Sequence, residues 1–270
     1  MAKYTIEDTT LTNIANAIRE KTKKTNSIPV SSFNSEIASI QSGDVSDYFT
    51  EKATTTDVKK WIKKIPPTDL SSLSNGSFYQ MFYQMNNLKE VELINSEHIG
   101  GSANYMFANT TSLKSYKING KLKNCDTHNA LFTYSGIEKI TDIDTSNSTN
   151  LGTFASYCSN LTTIDELDGS KSTAFNNFCY GSGKLTNFGG IKDMGKAYLT
   201  TQNANYSLYG LSLSSNNNLT HESLMNVINN LYDIASIGVQ PQKLTLGSTN
   251  LAKLTEEEIA IAQNKGWNVL

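Results

Sequence analysis

MFYQMNNLKEVEL, from Met81 to Leu93, returns as MFANTTSLKSYKI from Met106 to Ile118, and these two stretches set the expected fold. Both read Met-Phe, five residues, Leu, two residues, a large apolar residue, one residue, and another apolar residue. Carried along the chain, the leucine becomes Leu88, Leu113, Ile137, Leu161 and Leu185, at intervals of 25, 24, 24 and 24 residues. Three positions after each stand Val91, Tyr116, Ile140, Ile164 and Phe188, and five or six after stand Leu93, Ile118, Ile143, Leu167 and Ile191. A phenylalanine precedes each anchor by five to seven positions: Phe82, Phe107, Phe132, Phe154 and Phe178. Four apolar columns at a fixed period mark a stacked repeat. So short a unit cannot bury its apolar side alone, so it stacks on its neighbours and each strand becomes one rung of a parallel sheet. The phenylalanines are expected to fill the layer behind that sheet. A worn sixth unit reads at Leu208, Leu211 and Leu213, 23 residues after Leu185.

Beyond the repeats the periodicity turns helical. Leu224, Val227, Ile228, Leu231 and Ile234 recur at three and four residues behind Thr220, an N-cap type, with Glu222 in the first turn. A strand is expected at KLTLG, with Leu244 and Leu246, then a second helix capped at Thr255 by T-E-E-E, ending near Gly266 before a last rung WNVL. On the N-terminal side, Leu11, Ile14, Ala15 and Ile18 make one helical stripe, and Phe33, Ile37 and Ile40 suggest a second helix after Ile28-Pro29-Val30. Such a hairpin is too small to be stable alone, so it packs either on its own chain or on a partner. Gln41 to Asp44 read as a linker, and residues 47 to 64, with Tyr48, Phe49, Val58, Trp61 and Ile62, as strands covering the first unit. Four regions result: 1–43, helical; 44–75, linker and capping strands; 76–215, repeats; and 216–270, a helix-strand cap.

The 23 basic and 25 acidic residues give a formal net charge of −2, which favours neither nucleic acid nor an anionic lipid surface. Cys125, Cys158 and Cys179 are odd in number and form no C-x-x-C pair, so they are read as small buried apolar residues. MAKYTIEDTT lacks the apolar core of a secretory signal, and no apolar run suits a membrane span. The expected place is the compartment of synthesis, or an assembled particle leaving it.

The chemistry-bearing residues argue against catalysis. His98, His128 and His221 lie far apart without metal-ligand spacing. Asp142, Asp144 and Ser146 imitate the start of a calcium loop, but Asn147 replaces its glycine and Thr153 its closing glutamate, so a turn is expected. Gly181 and Gly183 lack the lysine of a phosphate loop, and Asp165 with Glu166 sit in a polar connection. No catalytic, cofactor or metal residue is nominated. Asn87 and Asn160, just before their anchors, suit bonds to turn backbone, but Ser112, Gly136 and Lys184 replace them elsewhere, so no full asparagine ladder is expected. A stacked repeat offers a long rigid surface for recognition. Its candidate contact residues are Glu92, Lys117 and Thr163 between ladder positions and the tyrosines Tyr79, Tyr83 and Tyr206, each of which suits the core equally well.

The unit M-F-x(5)-L-x-x-Φ-x-Φ, with Φ apolar, resembles the leucine-rich repeats of the BspA-like class, found in bacterial surface proteins and phage tail proteins. The opening TLTNIANAIREKT with IPVSSFNSEIASI, and the closing LTHESLMNVINNLYDIA with LTLGSTNLAKLTEEEIAIAQNKGW, are similar to the ends of tail and baseplate proteins from phages of Gram-positive bacteria. The fold class implied is an α/β repeat: a leucine-rich-repeat solenoid with a parallel β-ladder, C-terminal capping helices and an N-terminal helical hairpin. The resemblance implies a virion component, assembled in the host cytoplasm, that attaches to the host surface through cell-wall saccharide or a surface protein. Leu11, Ile14, Ile18, Ile28, Phe33 and Ile37 would then dock onto other tail proteins or sister chains in a homo-oligomer, a trimer being one arrangement. A purely architectural tail subunit and a bacterial adhesin are the competing readings. The units depart from the family pattern in spacing: the third has one residue fewer between phenylalanine and anchor, the fourth and fifth one more.

Overall fold

A computed structural model describes residues 12, 14–16, 18 and 19, 61–73, 76–201 and 209–270. The expected docking residues Leu11, Ile28, Phe33 and Ile37, the linker and Tyr206 lie outside them. The described chain is mixed α/β, with short strands in parallel sheets, few helices and no closed barrel. Strands β1 (Lys64–Asp69), β2 (Glu90–Ile94) and β4 (Ser115–Ile118) form one sheet, and β6 (Lys139–Ile140), β7 (Thr163–Ile164) and β9 (Asn187–Phe188) another. In these sheets the expected column pairs Cα to Cα, Val91 with Tyr116 and Ile140 with Ile164 and Phe188. On the connections, β3 (Gly101–Ser102) pairs with β5 (Cys125–Thr127), and β8 (Leu167–Asp168) with β10 (Ile191–Lys192). Of the capping strands expected at residues 47–64, the part before Trp61 lies outside the described residues, among which β1 is the first strand. It holds the sheet edge despite Pro66 and Pro67 because the ladder is irregular between Ile65 and Thr68, where no proline amide is needed.

The phenylalanine side of each unit is a run of β-turns with a regular division of labour among its amides. Met81, Tyr83 and Met85 donate within the unit, to Phe78, Gln80 and Phe82, whereas Gln80, Phe82 and Gln84 donate to Asn104, Met106 and Ala108 of the next. The pattern repeats from Tyr105, Phe107 and Asn109 to Asn129, Leu131 and Thr133. Backbone groups that the apolar layer would otherwise strand are thereby paired. The turns need two left-handed residues four positions apart: Gln80 and Gln84, Tyr105 and Asn109, Ala130 and Tyr134, Thr153 and Tyr157, and Asn177 and Gly181 all have positive φ.

These bonds explain the spacing slips. Phe82 and Phe107 donate to Met106 and Leu131, but Phe132 donates to Phe154. The fourth unit's phenylalanine therefore stands in the neighbouring Met81–Met106–Leu131 column, and Ala155 and Cys179 continue the vacated one. Ring geometry records the crossing: Phe82, Phe107 and Phe132 stack at 17° and 8°, Phe154 and Phe178 at 2°, while Phe132 meets Phe154 edge-on at 76°. In the shorter third unit Gly136 lies so close to the preceding backbone that a Cβ would sit 2.1 Å from the Thr111 carbonyl oxygen. All five phenylalanines are buried, as expected, each stabilising the stack by roughly 1.5–3 kcal/mol.

A second internal column, two or three residues before each anchor, starts at Met85 and is polar from the second unit on. The Cys158 thiol donates to Phe132 O (3.0 Å), and the Ser182 hydroxyl donates to Ala155 O (2.7 Å). Asn216 Nδ2 donates to Cys179 O and Ser182 O at 3.1 and 3.0 Å, and Asn250 Nδ2 to Leu213 O and Asn216 O, both at 3.3 Å. Burial pushes the Cys158 thiol up to about 12, so it keeps the proton it donates. The expectation of buried, unpaired cysteines holds for all three. The column also places a sixth anchor at Leu219, which donates to Asn216 O as Leu185 does to Ser182 O, while the expected anchor Leu208 lies outside the described residues. Leu211 belongs instead to β11 (Leu211–Ser212), which pairs with β12 (Gln242–Thr245), itself paired with β13 (Trp267–Val269).

Where the sixth unit would supply a strand, helix α1 (His221–Asn230) covers the edge of β9. Its Ser223 hydroxyl accepts the Phe188 amide, and Asn226 and Asn230 donate to Phe188 O and Gly189 O. This protects an otherwise open edge. The expected caps are present: Thr220 accepts from Ser223 N, and Thr255 forms a capping box with Glu258 at the start of α3 (Glu256–Asn264), after the short α2 (Ser248–Leu251). Residues 12, 14–16, 18 and 19 are helical, and Ile14, Ala15 and Ile18 are buried in the same core as Ile62 and Ile65. Their apolar stripe is covered by this chain, so Ile14 and Ile18 are not offered to a partner.

The sheet is interrupted between β4 and β6, and one side chain bridges the gap. The hydroxyl of the half-buried Tyr116 donates to Thr141 O (2.7 Å) and accepts Thr141 N–H (3.0 Å), standing in for a rung. Tyr116→Phe leaves both backbone groups without that partner and is expected to lower unfolding free energy by roughly 1–3 kcal/mol in urea titration. An unchanged midpoint would show that the bridge is dispensable.

Candidate functional site

The exposed side of the turns carries a row of tyrosines. Tyr79, Tyr105, Tyr134, Tyr157 and Tyr180 are 36 to 53% exposed, and Tyr83 is half-buried beside them. Tyr105 meets Tyr79 at 6.4 Å and 90° and Tyr83 at 6.3 Å and 74°. Tyr134 stacks on Tyr157 at 4.7 Å and 4°, and Tyr157 meets Tyr180 at 5.4 Å and 82°. Tyr105, Tyr134 and Tyr157 stand on left-handed turn positions. Gly181 gives Tyr157 room, since a Cβ there would come within 2.8 Å of its ring.

The stretches that build this side, 76–88, 101–113, 127–137, 148–164 and 172–183, contain no Asp, Glu, Lys or Arg, in a chain that is 18% charged. The side chains around the rings are amides and hydroxyls, several of them tied down. Asn104 Oδ1 accepts from Thr127 and from the Asn129 amide, Asn129 donates to Gly152 O, and the Thr133 hydroxyl donates to Thr153 O. The six tyrosine hydroxyls make no hydrogen bond among the described residues.

The sequence nominated Tyr79 and Tyr83, which lie in this row, but missed Tyr105, Tyr134, Tyr157 and Tyr180. Its other candidates are elsewhere, on the strands. Glu92 on β2 and Lys117 on β4 form an exposed ion pair of 2.8 Å, one of a series with Lys64–Glu90 and Lys114–Glu138 that tie rung to rung. Such pairs are worth at most about 1 kcal/mol each. Thr163 is half-buried on β7, its hydroxyl 3.5 Å from that of Thr162.

A groove of about 340 Å³ gathers Asp142, Asp144, Asp165, Glu166 and Asp168 with Lys121 and Lys192. Asp144 accepts the Ser146 amide, the turn expected there, and Asp142 pairs with Lys121 at 2.8 Å. Among the described residues no group of three His, Cys, Asp or Glu is placed to hold a metal ion. His98 bonds Leu73 O and His221 contacts Glu258.

No protein family, no characterised protein and no solved structure matches this chain.

His128 lies beneath the tyrosine row, in an inner column otherwise made of Phe78, Ala103, Leu151 and Phe175. It is fully buried, and among the described residues neither ring nitrogen has a hydrogen-bonding partner of good geometry. Burial drives its pKa down to about 4, against the opposing pull of the Leu122 backbone and the Asp144 charge. The unfolded chain takes up this proton near pH 6.5 and the folded chain only near 4. Stability linked to His128 is therefore intact above pH 6.5, falls as pH drops towards 4, and is flat below, a loss on the order of 3 kcal/mol. His128→Leu, which repeats the residue at position 151, should remove that component from unfolding midpoints compared between pH 7.5 and 4. Identical pH profiles for the two proteins would refute it.

Proposed function

We propose that this chain is a non-catalytic recognition protein, a BspA-like leucine-rich-repeat solenoid in the tail or baseplate of a phage of Gram-positive bacteria, and that its turn side meets the host surface. The observation that carries the recognition reading is the uncharged side studded with tyrosines across five units. Aromatic rings held out on a rigid backbone are costly to leave in water and are favoured at binding surfaces, where the ring supplies contact and the hydroxyl direction. The strand side, occupied by cross-rung ion pairs, offers nothing comparable. The phage assignment rests on the resemblance of the two chain ends. Docking to other tail proteins is assigned to the N-terminal residues other than the covered Ile14 and Ile18.

Full-length protein is expected to sediment with cells or purified walls of at least one strain in a panel of Gram-positive bacteria. The double variant Tyr134→Asn/Tyr157→Asn, which keeps a residue tolerant of left-handed backbone, should lose that association. Absence of binding to every strain, with self-association or binding to tail proteins intact, would favour a purely architectural subunit.

A further inference from the structure

We infer that the tyrosine row binds a neutral, linear polysaccharide laid across the units. This rests on the recognition reading and specifies its ligand. Its first ground is charge. The five stretches building this side hold no Asp, Glu, Lys or Arg, and their one histidine, His128, is buried, so an anionic polymer would find no cation to offset its desolvation, and a cationic one no carboxylate. A neutral sugar needs neither.

The second ground is shape. Pyranose rings present apolar C–H faces and hydroxyl edges, and they pair with aromatic faces and with amide and hydroxyl groups respectively. Both kinds of partner are here. Where two rings meet edge-on, as Tyr79 with Tyr105 and Tyr157 with Tyr180, one ring points its edge at its neighbour and ring faces stay uncovered. The six hydroxyls are not used within the described chain, and Asn104 and Asn129 stand between units, half-exposed.

The third ground is repetition and rigidity. Units follow one another at a parallel-strand spacing of about 4.8 Å, close to the length of one sugar residue in an extended chain, so a polymer can present successive residues to successive units. The left-handed backbone under Tyr105, Tyr134 and Tyr157 is fixed by bonds to the following unit, from Tyr105 to Asn129, Tyr134 to Ser156 and Tyr157 to Tyr180, so little freedom is lost on binding. A protein partner is the other occupant to be tested, and it would be expected to match charge somewhere on its rim.

The test uses the full chain in a glycan-binding assay with dextran, laminarin, cello-oligosaccharides and N-acetylglucosamine oligomers against hyaluronate and polygalacturonate. At least one neutral polymer should bind, longer chains better than short ones, with an affinity unchanged between low and high salt. Tyr134→Asn and Tyr157→Asn should each weaken it by roughly tenfold, while Tyr157→Phe retains most of it and unfolding midpoints confirm that the variants fold. The inference is overturned if no neutral polymer binds, if only the anionic ones do, or if the tyrosine variants bind the polymer as the parent does. Bacterial walls separate the two readings. Wall binding that survives both neutral competitors and the tyrosine changes leaves recognition standing and removes the saccharide. Sugar binding without wall binding does the reverse.

Discussion

The backbone hydrogen bonds that join one unit to the next on the turn side are the constraint from which the rest of the structure follows. Alternate residues donate inward and onward, and the backbone meets that geometry only by taking left-handed turns at two fixed places per unit. Once those places are set, the residues midway between them, Phe82, Phe107, Phe132, Ala155 and Cys179, are held in the core. Phenylalanines fill three of those midway places, and tyrosines three of the left-handed ones, Tyr105, Tyr134 and Tyr157. One arrangement thus makes the apolar columns and the exposed row together, and neither is free to move without the other.

Much of this was legible in the residues. The apolar columns were, because a buried ladder demands a large apolar side chain at the same place in every unit, and Val91 with Tyr116, and Ile164 with Phe188, pair as the spacing predicts. The caps at Thr220 and Thr255 were, because capping is local chemistry. The sixth unit was not. Leu208, Leu211 and Leu213 imitate the right spacing, but the register there is held by the amide of Asn216, a buried polar group that a search for apolar columns passes over. The stretch before it is also ten residues longer, and the expected capping helix, α1, follows the anchor Leu219 directly.

The tyrosine row was hidden for a different reason. Measured from their phenylalanines, the tyrosines fall anywhere from three before to three after, because different units place them at different positions of the turns: Tyr105 at the first left-handed place, Tyr134 and Tyr157 at the second. Nothing in Gln80, Tyr105 or Thr153 announces a left-handed backbone either, since such residues take it up only where surrounding bonds hold them. What was readable was the absence of charge over five stretches, a signal carried by residues that are not there. His128 shows the opposite limit: a titratable side chain that reads as possible chemistry occupies a place where its neighbours are Ala103 and Leu151.

The crossing of the phenylalanines from one column to the next has a consequence for how such a stack stays in alignment. Identical rungs would form equally good ladders after sliding by a whole unit, and a chain of them would have many near-equivalent ways to assemble. Here the third and fourth units differ in which column holds the ring, with Ala155 and Cys179 small where Phe132 is large. A slid alignment would press two rings into one layer at one level and leave a void at another. The crossing therefore works as a serial number: it tells each unit which neighbour is its own, and it keeps the exposed tyrosines in one order along the surface.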